Sequence, residues 1–314
     1  MVDNKQQWKA WLYLAPALIL LVIFTVWPIF NTVRMSLLEN YSGLRAAAGE
    51  KFKFGFNNFV QVVKYKQFLQ CLLNTILLTV LTVPISTLLA LVISVCLNSI
   101  KVFSRALQTI FFLPYVTNSI AIGMVFAAMF NIVGSFFGTQ NEIITTAGII
   151  NNVIEFFGGH RINWINAGST YAANIAVMTI YIVWNALPFK ILILLGGLQS
   201  VNKQYYDAAK VDGTSRWRVF WRITVPLLSP MIIYVVITGF IGGFKEYSSI
   251  VGIFGETMGP ADASGRLNTM VGFIYDALKT NKQGRASAAA LILFGIILVV
   301  TLVQLQWSKK RVHY

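Results

Sequence analysis

Long apolar runs recur along the chain, at about 12–37, 72–97, 107–132, 171–198, 227–250 and 286–306, and polar or charged segments separate them. Each run approaches the roughly 20 residues that an α-helix needs to cross a hydrocarbon core. The first run could be taken for a secretory signal, but it is too long for an apolar signal core of about 7–15 residues and lacks a small-residue cleavage site. It therefore counts as the first of six spans, bent near Pro28. An even number of spans puts both termini on one side. Lys309, Lys310 and Arg311 after the last run, with Lys101, Arg105, Lys203, Lys210, Arg216, Arg218 and Arg222 in two short connections, point to the cytoplasm. The opposite side then carries the longer segments 39–70, 133–170 and 251–285. In the first of these, Phe59–Phe68, with Lys64 and Lys66, predicts an interfacial amphipathic helix leading into the second span.

Composition supports the bilayer as solvent. Apolar residues make up 56% of the chain and charged residues 11%, far from the balance of soluble domains. The expectation is one all-α membrane domain over 1–314 with membrane lipid as a partner. The formal charge of +14 does not indicate nucleic acid, because the cations lie between apolar runs rather than along a basic stripe with interleaved stacking aromatics. Cys71 and Cys96 fall near opposite ends of one predicted helix, roughly 37 Å apart at 1.5 Å per residue, so they cannot bridge and are expected as buried free thiols. Lys190, just after Pro188, is expected to snorkel to the inner interface, and Arg34 to the outer one.

No phosphate-binding GxxxxGK[ST] loop, GxGxxG turn or HExxH pair occurs. The two histidines, His160 and His313, lie in an outer segment and the tail, so neither is placed as an intramembrane proton relay. The chain is therefore expected to have no catalytic residue, metal site or cofactor of its own.

The most specific stretch lies between the fourth and fifth spans: Tyr206-Asp207-Ala208-Ala209-Lys210-Val211-Asp212-Gly213, nine further residues, then Ile223-Thr224-Val225-Pro226. Gly213 is placed to end a short helix in the left-handed conformation, and Pro226 suits the first turn of the next one. Ala208 and Ala209 permit close approach, while Trp217, Phe220 and Trp221 share one helical face.

This stretch resembles the EAA loop of binding-protein-dependent ABC importers, with Asp207 in place of the usual Glu and Val225 in place of Leu. Trp11–Ala17, Asn57-Asn58-Phe59, Phe112-Leu113-Pro114, Gly255–Tyr275 and Gly284–Ala288 are similar to the sugar-type permeases related to the maltose and glycerol-phosphate systems. The resemblance implies a type I importer transmembrane fold of six helices, with loop 201–226 as a cytoplasmic coupling helix docked on an ATPase through Asp207, Ala208, Ala209, Gly213, Trp217 and Pro226. It also implies a second permease subunit, two ATP-binding subunits carrying ATP and Mg, an extracellular substrate-binding protein and a bacterial-type inner membrane. A transient sugar site would lie on the helices that flank the loop.

On those helices, Ile182, Asn185, Ala186 and Phe189 share one face, as do Gly239, Gly242, Gly243 and Glu246, with Phe240 and Tyr247 beside them. Asn185 and Glu246 can hydrogen-bond hydroxyls, Phe189, Phe240 and Tyr247 offer stacking faces for a pyranose ring, and Gly243 leaves room. No ring of arginines marks a phosphate site. Two other classes stand beside the importer permease. An ion- or proton-coupled secondary transporter predicts paired intramembrane ionisable residues, for which Glu246 alone qualifies. A non-transporting scaffold leaves the loop motif without a purpose.

Overall fold

The computed structural model describes residues 7–100, 104–137 and 143–309. In chain order the helices are α1 (Gln7–Leu21), a π-turn at Val22–Val26, α2 (Trp27–Leu37), α3 (Gly43–Ala47), α4 (Asn57–Lys64), α5 (Lys66–Ser99), α6 (Ser104–Val116) and α7 (Ser119–Phe130). A hairpin of β1 (Ile132–Phe137) and β2 (Ile143–Ala147) follows, then α8 (Ile149–Phe156), α9 (Tyr171–Ser200), α10 (Gln204–Val211) and α11 (Arg216–Val219). After a second π-turn at Phe220–Thr224 come α12 (Val225–Leu227), α13 (Ser229–Phe244), α14 (Ser248–Phe254), α15 (Met270–Lys279) and α16 (Gln283–Lys309).

Four continuous helices are long and apolar enough to cross a bilayer: Trp8–Leu37, Lys66–Ser99, Tyr171–Ser200 and Gln283–Ser308. Two bent pairs bring the number to six if each is one span. The expected span at 107–132 is a bent pair of helices. It breaks after Val116, and its two halves meet at 100°. The cause is local: the Asn118 side chain accepts from the N–H groups of Ile120 and Ala121, capping a new helix before the old one can continue.

The expected span at 227–250 differs in its bounds: the 16-residue α13 passes as a candidate span only together with the preceding Arg216–Leu227 segment, which it meets at 68°, and it ends at Phe244. Glu246 Oε1 then accepts from the N–H groups of Tyr247 (3.1 Å) and Ser249 (3.0 Å), starting α14. An acid at a helix start meets unpaired N–H groups and the positive end of the dipole, so the carboxylate caps the new helix just after α13 has ended.

The described residues form two compact units: those up to Leu69 with Phe273–Gly295, and Gln70–Gly272 with those from Ile296 onward. In the first, Asn58 is buried and its amide donates to the carbonyls of Ser36 and Leu38. In the second, a core of Leu78, Phe130, Val177, Met178, Tyr181, Ile250 and Leu267 gathers α5, α7, α9 and α14. Here α7 crosses α14 at Gly123 and Gly252, where a Cβ on Gly123 would lie 2.6 Å from the Gly252 Cα; only paired glycines permit that approach. A second core, including Leu91, Leu194, Leu228 and Val235, joins α5, α9 and α13 toward loop 201–226.

Neither cysteine is in a disulfide, but only Cys71 is buried; Cys96 is exposed, because its position on α5 faces away from these cores. The antiparallel hairpin, irregular between Val133 and Ser135, adds two strands to an otherwise helical protein.

Candidate functional site

Just before the α9 stripe lies Tyr181, whose hydroxyl donates to the Ser119 carbonyl and lies 3.1 Å from Ser119 Oγ. Asn185, one turn on, donates from Nδ2 to the same Oγ at 3.1 Å. The break that makes Ser119 the first residue of α7 thus puts a hydroxyl beside Asn185. Four residues further along α9, Phe189 stacks on Tyr115 of α6 with ring centroids 5.8 Å apart.

Beyond these groups lies a cavity of 330 Å³ bounded by α5, α6, α9 and α13. Its wall includes Asn185, Phe189, Gly243 and Glu246, so four of the six residues expected for substrate converge on one space. Phe240 and Tyr247 do not line it; Tyr247 instead packs against the core around Tyr181. The glycines divide between two tasks. Gly242 has open space where a Cβ would stand, whereas a Cβ at Gly243 would lie 2.8 Å from the Thr79 methyl, so Gly243 brings α13 against α5.

The wall also holds a residue expected elsewhere. Lys190 does not snorkel: it is 4% exposed, and its ammonium donates to Ser86 Oγ (2.7 Å), Thr87 Oγ1 (2.9 Å) and the Val83 carbonyl (3.2 Å). Three acceptors match its three N–H donors, which is what makes a buried ammonium tolerable. Gly239 faces it closely, since a Cβ there would lie 3.2 Å from Nζ. The sequence signal was available, because one further step of four from Ala186 along the same stripe reaches Lys190. Thr82, Ser86 and Thr238 complete the hydroxyl-bearing wall; nothing short of the fold distinguishes them from other threonines and serines in apolar helices.

The loop after α9 follows a different logic. Helix α10 ends in a Schellman turn: Thr214 N–H donates to the Ala209 carbonyl (3.0 Å) and Gly213 N–H to that of Lys210 (3.1 Å), with Gly213 at φ +63°. Ser215 then caps α11 by accepting from Arg218 N–H. Ala208 and Ala209 line a shallow groove with Tyr205, Asp212 and Ile223. Asp207 pairs with Lys210 at 3.2 Å on the surface. Trp217 is 72% exposed and stacks on Phe220, with Trp221 edge-on to both. Pro226 occupies the first turn of α12, where its missing N–H costs no helical hydrogen bond.

Apolar helices of spanning length, with a cavity walled by α5, α6, α9 and α13 and a compact, aromatic-faced loop, describe a polytopic membrane protein. Residues 59–313 match the family described as binding-protein-dependent transport system inner membrane component, and the chain belongs to it. It is a multi-pass inner-membrane permease component of a binding-protein-dependent ABC importer, and not the ATPase.

Among relatives, it is 31% identical over 294 residues to the lactose transport system permease protein LacF of Rhizobium radiobacter, covering 93% of this chain and 90% of that one. It is 30% identical over 308 residues to the multiple sugar-binding transport system permease protein MsmF of Streptococcus mutans serotype c, covering 96% and 95%. A chain in the crystal structure of a bacterial alginate ABC transporter in complex with an alginate pentasaccharide-bound periplasmic protein shares the fold, with a TM-score of 0.76 over 98% of this chain and 96% of that one at 21% identity.

Proposed function

We propose that the whole chain acts as one permease domain that passes a sugar or oligosaccharide from an external binding protein through the cavity walled by Asn185, Phe189, Lys190, Gly243 and Glu246. The observation that carries this reading is the convergence, from four helices on one 330 Å³ space, of hydrogen-bonding groups with the stacked Tyr115–Phe189 pair. Sugars ask for that combination, since hydroxyls need directional partners while the ring faces pack on aromatics. Asn185 uses one of its amide donors on Ser119, which leaves its carbonyl oxygen for a ligand hydroxyl. The names of the lactose and multiple-sugar relatives favour the same substrate class.

Loop 201–226 docks on an ATP-binding subunit through Asp207, Ala208, Ala209, Gly213 and Trp217, with Pro226 setting the return into the membrane. The complex contains a second permease and two ATPases that hold ATP and Mg, and both termini of this chain are cytoplasmic. Closure of the ATPases moves the loop and thereby opens the cavity alternately to each side.

The test is sugar uptake by Asn185→Ala in complexes matched for assembly, with the co-purifying ATPase and the ligand of the external binding protein identified in parallel. Loss of a hydrogen bond worth about 0.5–1.5 kcal/mol predicts a roughly two- to tenfold fall in uptake at limiting sugar. Wild-type uptake across the sugars supplied would remove the cavity from the transport path, and the absence of a co-purifying ATPase would remove the loop's role.

A further inference from the structure

A second polar cavity, of 330 Å³, lies wholly within the unit formed by the N-terminal residues and Phe273–Gly295. Arg45, Lys282 and Arg285 line it together with the hydrogen-bonding side chains of Asn58, Gln61 and Thr280, and its lining contains no Asp or Glu. Arg45 is partly neutralised by Glu50 at 2.5 Å. The other two cations have no ion-pair partner among the described residues.

Arg285 is held in place. Its Nη2 donates to Gln61 Oε1 at 3.0 Å, and its guanidinium carbon sits 5.2 Å from the centroid of the Tyr65 ring. Its Nε is nevertheless buried without an acceptor. A buried guanidinium donor left unsatisfied calls for an unseen partner, and a planar guanidinium favours an oxyanion.

Position decides what that oxyanion belongs to. The lining residues sit where three apolar helices end or begin: just after Leu37 of α2, just before Lys66 of α5, and around Gln283 at the start of α16. Such ends lie at headgroup depth. We propose that this cavity binds the phosphodiester headgroup of an anionic phospholipid, with Arg285 and Lys282 on the phosphate and Asn58, Gln61 and Thr280 available to the headgroup's polar atoms. The volume is within the roughly 300–1,000 Å³ of small-molecule sites. Bound lipid would tie the entry to α5 and the start of α16 to the membrane plane.

The full importer complex, in phosphatidylcholine bilayers titrated with phosphatidylglycerol, can be examined by native mass spectrometry that resolves individual bound lipids. Wild type should retain phosphatidylglycerol in preference to phosphatidylcholine. Lys282→Gln and Arg285→Gln should each lower the apparent affinity of the tightest phosphatidylglycerol roughly fivefold. Lys282 is exposed, so its variant should assemble normally and decides the matter alone if Arg285→Gln does not assemble. Equal retention of the two lipids, or unchanged affinity in Lys282→Gln, overturns the proposal. Inorganic phosphate separates the two sources of the anion. Persistence of phosphatidylglycerol in excess phosphate supports the lipid site, whereas its displacement would show that the cavity takes free phosphate and overturn it.

Discussion

The cavity wall and loop 201–226 both hold polar groups in fixed geometry, and they do so by different means. Along the cavity the restraints join residues far apart in the chain: Lys190 to Ser86 and Thr87, and Asn185 to Ser119. In the loop the hydrogen bonds that set the turn are local, with the Schellman turn at Gly213 and the Ser215 cap spanning only a few residues, while Phe220 and Val225 anchor its far end on the core around Leu91 and Leu194. Val211 and Trp217, 89% and 72% exposed, are left facing outward. The cavity depends on how closely helices approach, and the loop on the conformation of its backbone. Damage to the close helix contacts that hold up the first should therefore appear as lost protein, and damage to the second as lost coupling in protein that still accumulates.

The largest effect is expected where packing has no slack. Gly123→Val would place a branched side chain where a single Cβ already comes within 2.6 Å of the Gly252 Cα. The obstacle is backbone, which cannot rotate away, so the cost should sit at or above the upper end of overpacking penalties, about 3 kcal/mol. Membrane abundance and the aggregation temperature in detergent should both fall. Wild-type values for both would show that α7 and α14 do not pack as described.

The same contrast explains what was legible in the sequence. All six apolar runs were, because hydropathy is a sum over many residues. The breaks inside two of them were not, since Thr117–Ser119 and Lys245-Glu246 are short polar interruptions in runs that stay apolar on either side; the clues were single capping residues, Asn118 and Glu246, whose effect depends on the helix that follows. The stripe from Ile182 to Phe189 was legible by helical spacing, and so were Gly243 and Glu246 as neighbours of one space. Lys190 was misjudged because a lysine's depth depends on which acceptors another helix brings to it, and those come from α5, about a hundred residues earlier. The turn at Gly213 was legible in detail because its physics is contained in the loop itself.

Gly213→Val sharpens the comparison, since here the obstacle is conformational. No atom lies within 4 Å of a Cβ at this position, but φ is +63°, which costs a residue with a Cβ roughly 1–2 kcal/mol, with β-branching making it worse. Six apolar runs should still insert, so abundance should hold while uptake and substrate-stimulated ATP hydrolysis fall. Gly213→Asn should be milder, because Asn tolerates the left-handed region. Equal coupling in the Val variant and wild type, at matched abundance, would break the distinction between the two regions.

The smallest effect on the chain itself is expected at Asp207, and there the two regions separate most cleanly. Its pair with Lys210 spans 3.2 Å between side chains that are 68% and 78% exposed, so water screens both partners and the pair contributes less than about 0.5 kcal/mol. Asp207→Ala should leave abundance and the aggregation temperature at wild-type values, unlike Gly123→Val. Its effect should appear only in the complex, as weaker retention of the ATPase, if Asp207 meets a cation there. Lys210→Ala is the control, because it frees Asp207 without removing it and should leave retention intact. An exposed charge pair is also screened by salt over about 8–10 Å, so the difference between Asp207→Ala and wild type should be greatest at low ionic strength. Equal retention of the ATPase at low salt would mean that Asp207 pairs only with Lys210 and that docking rests on the aromatic face and the turn.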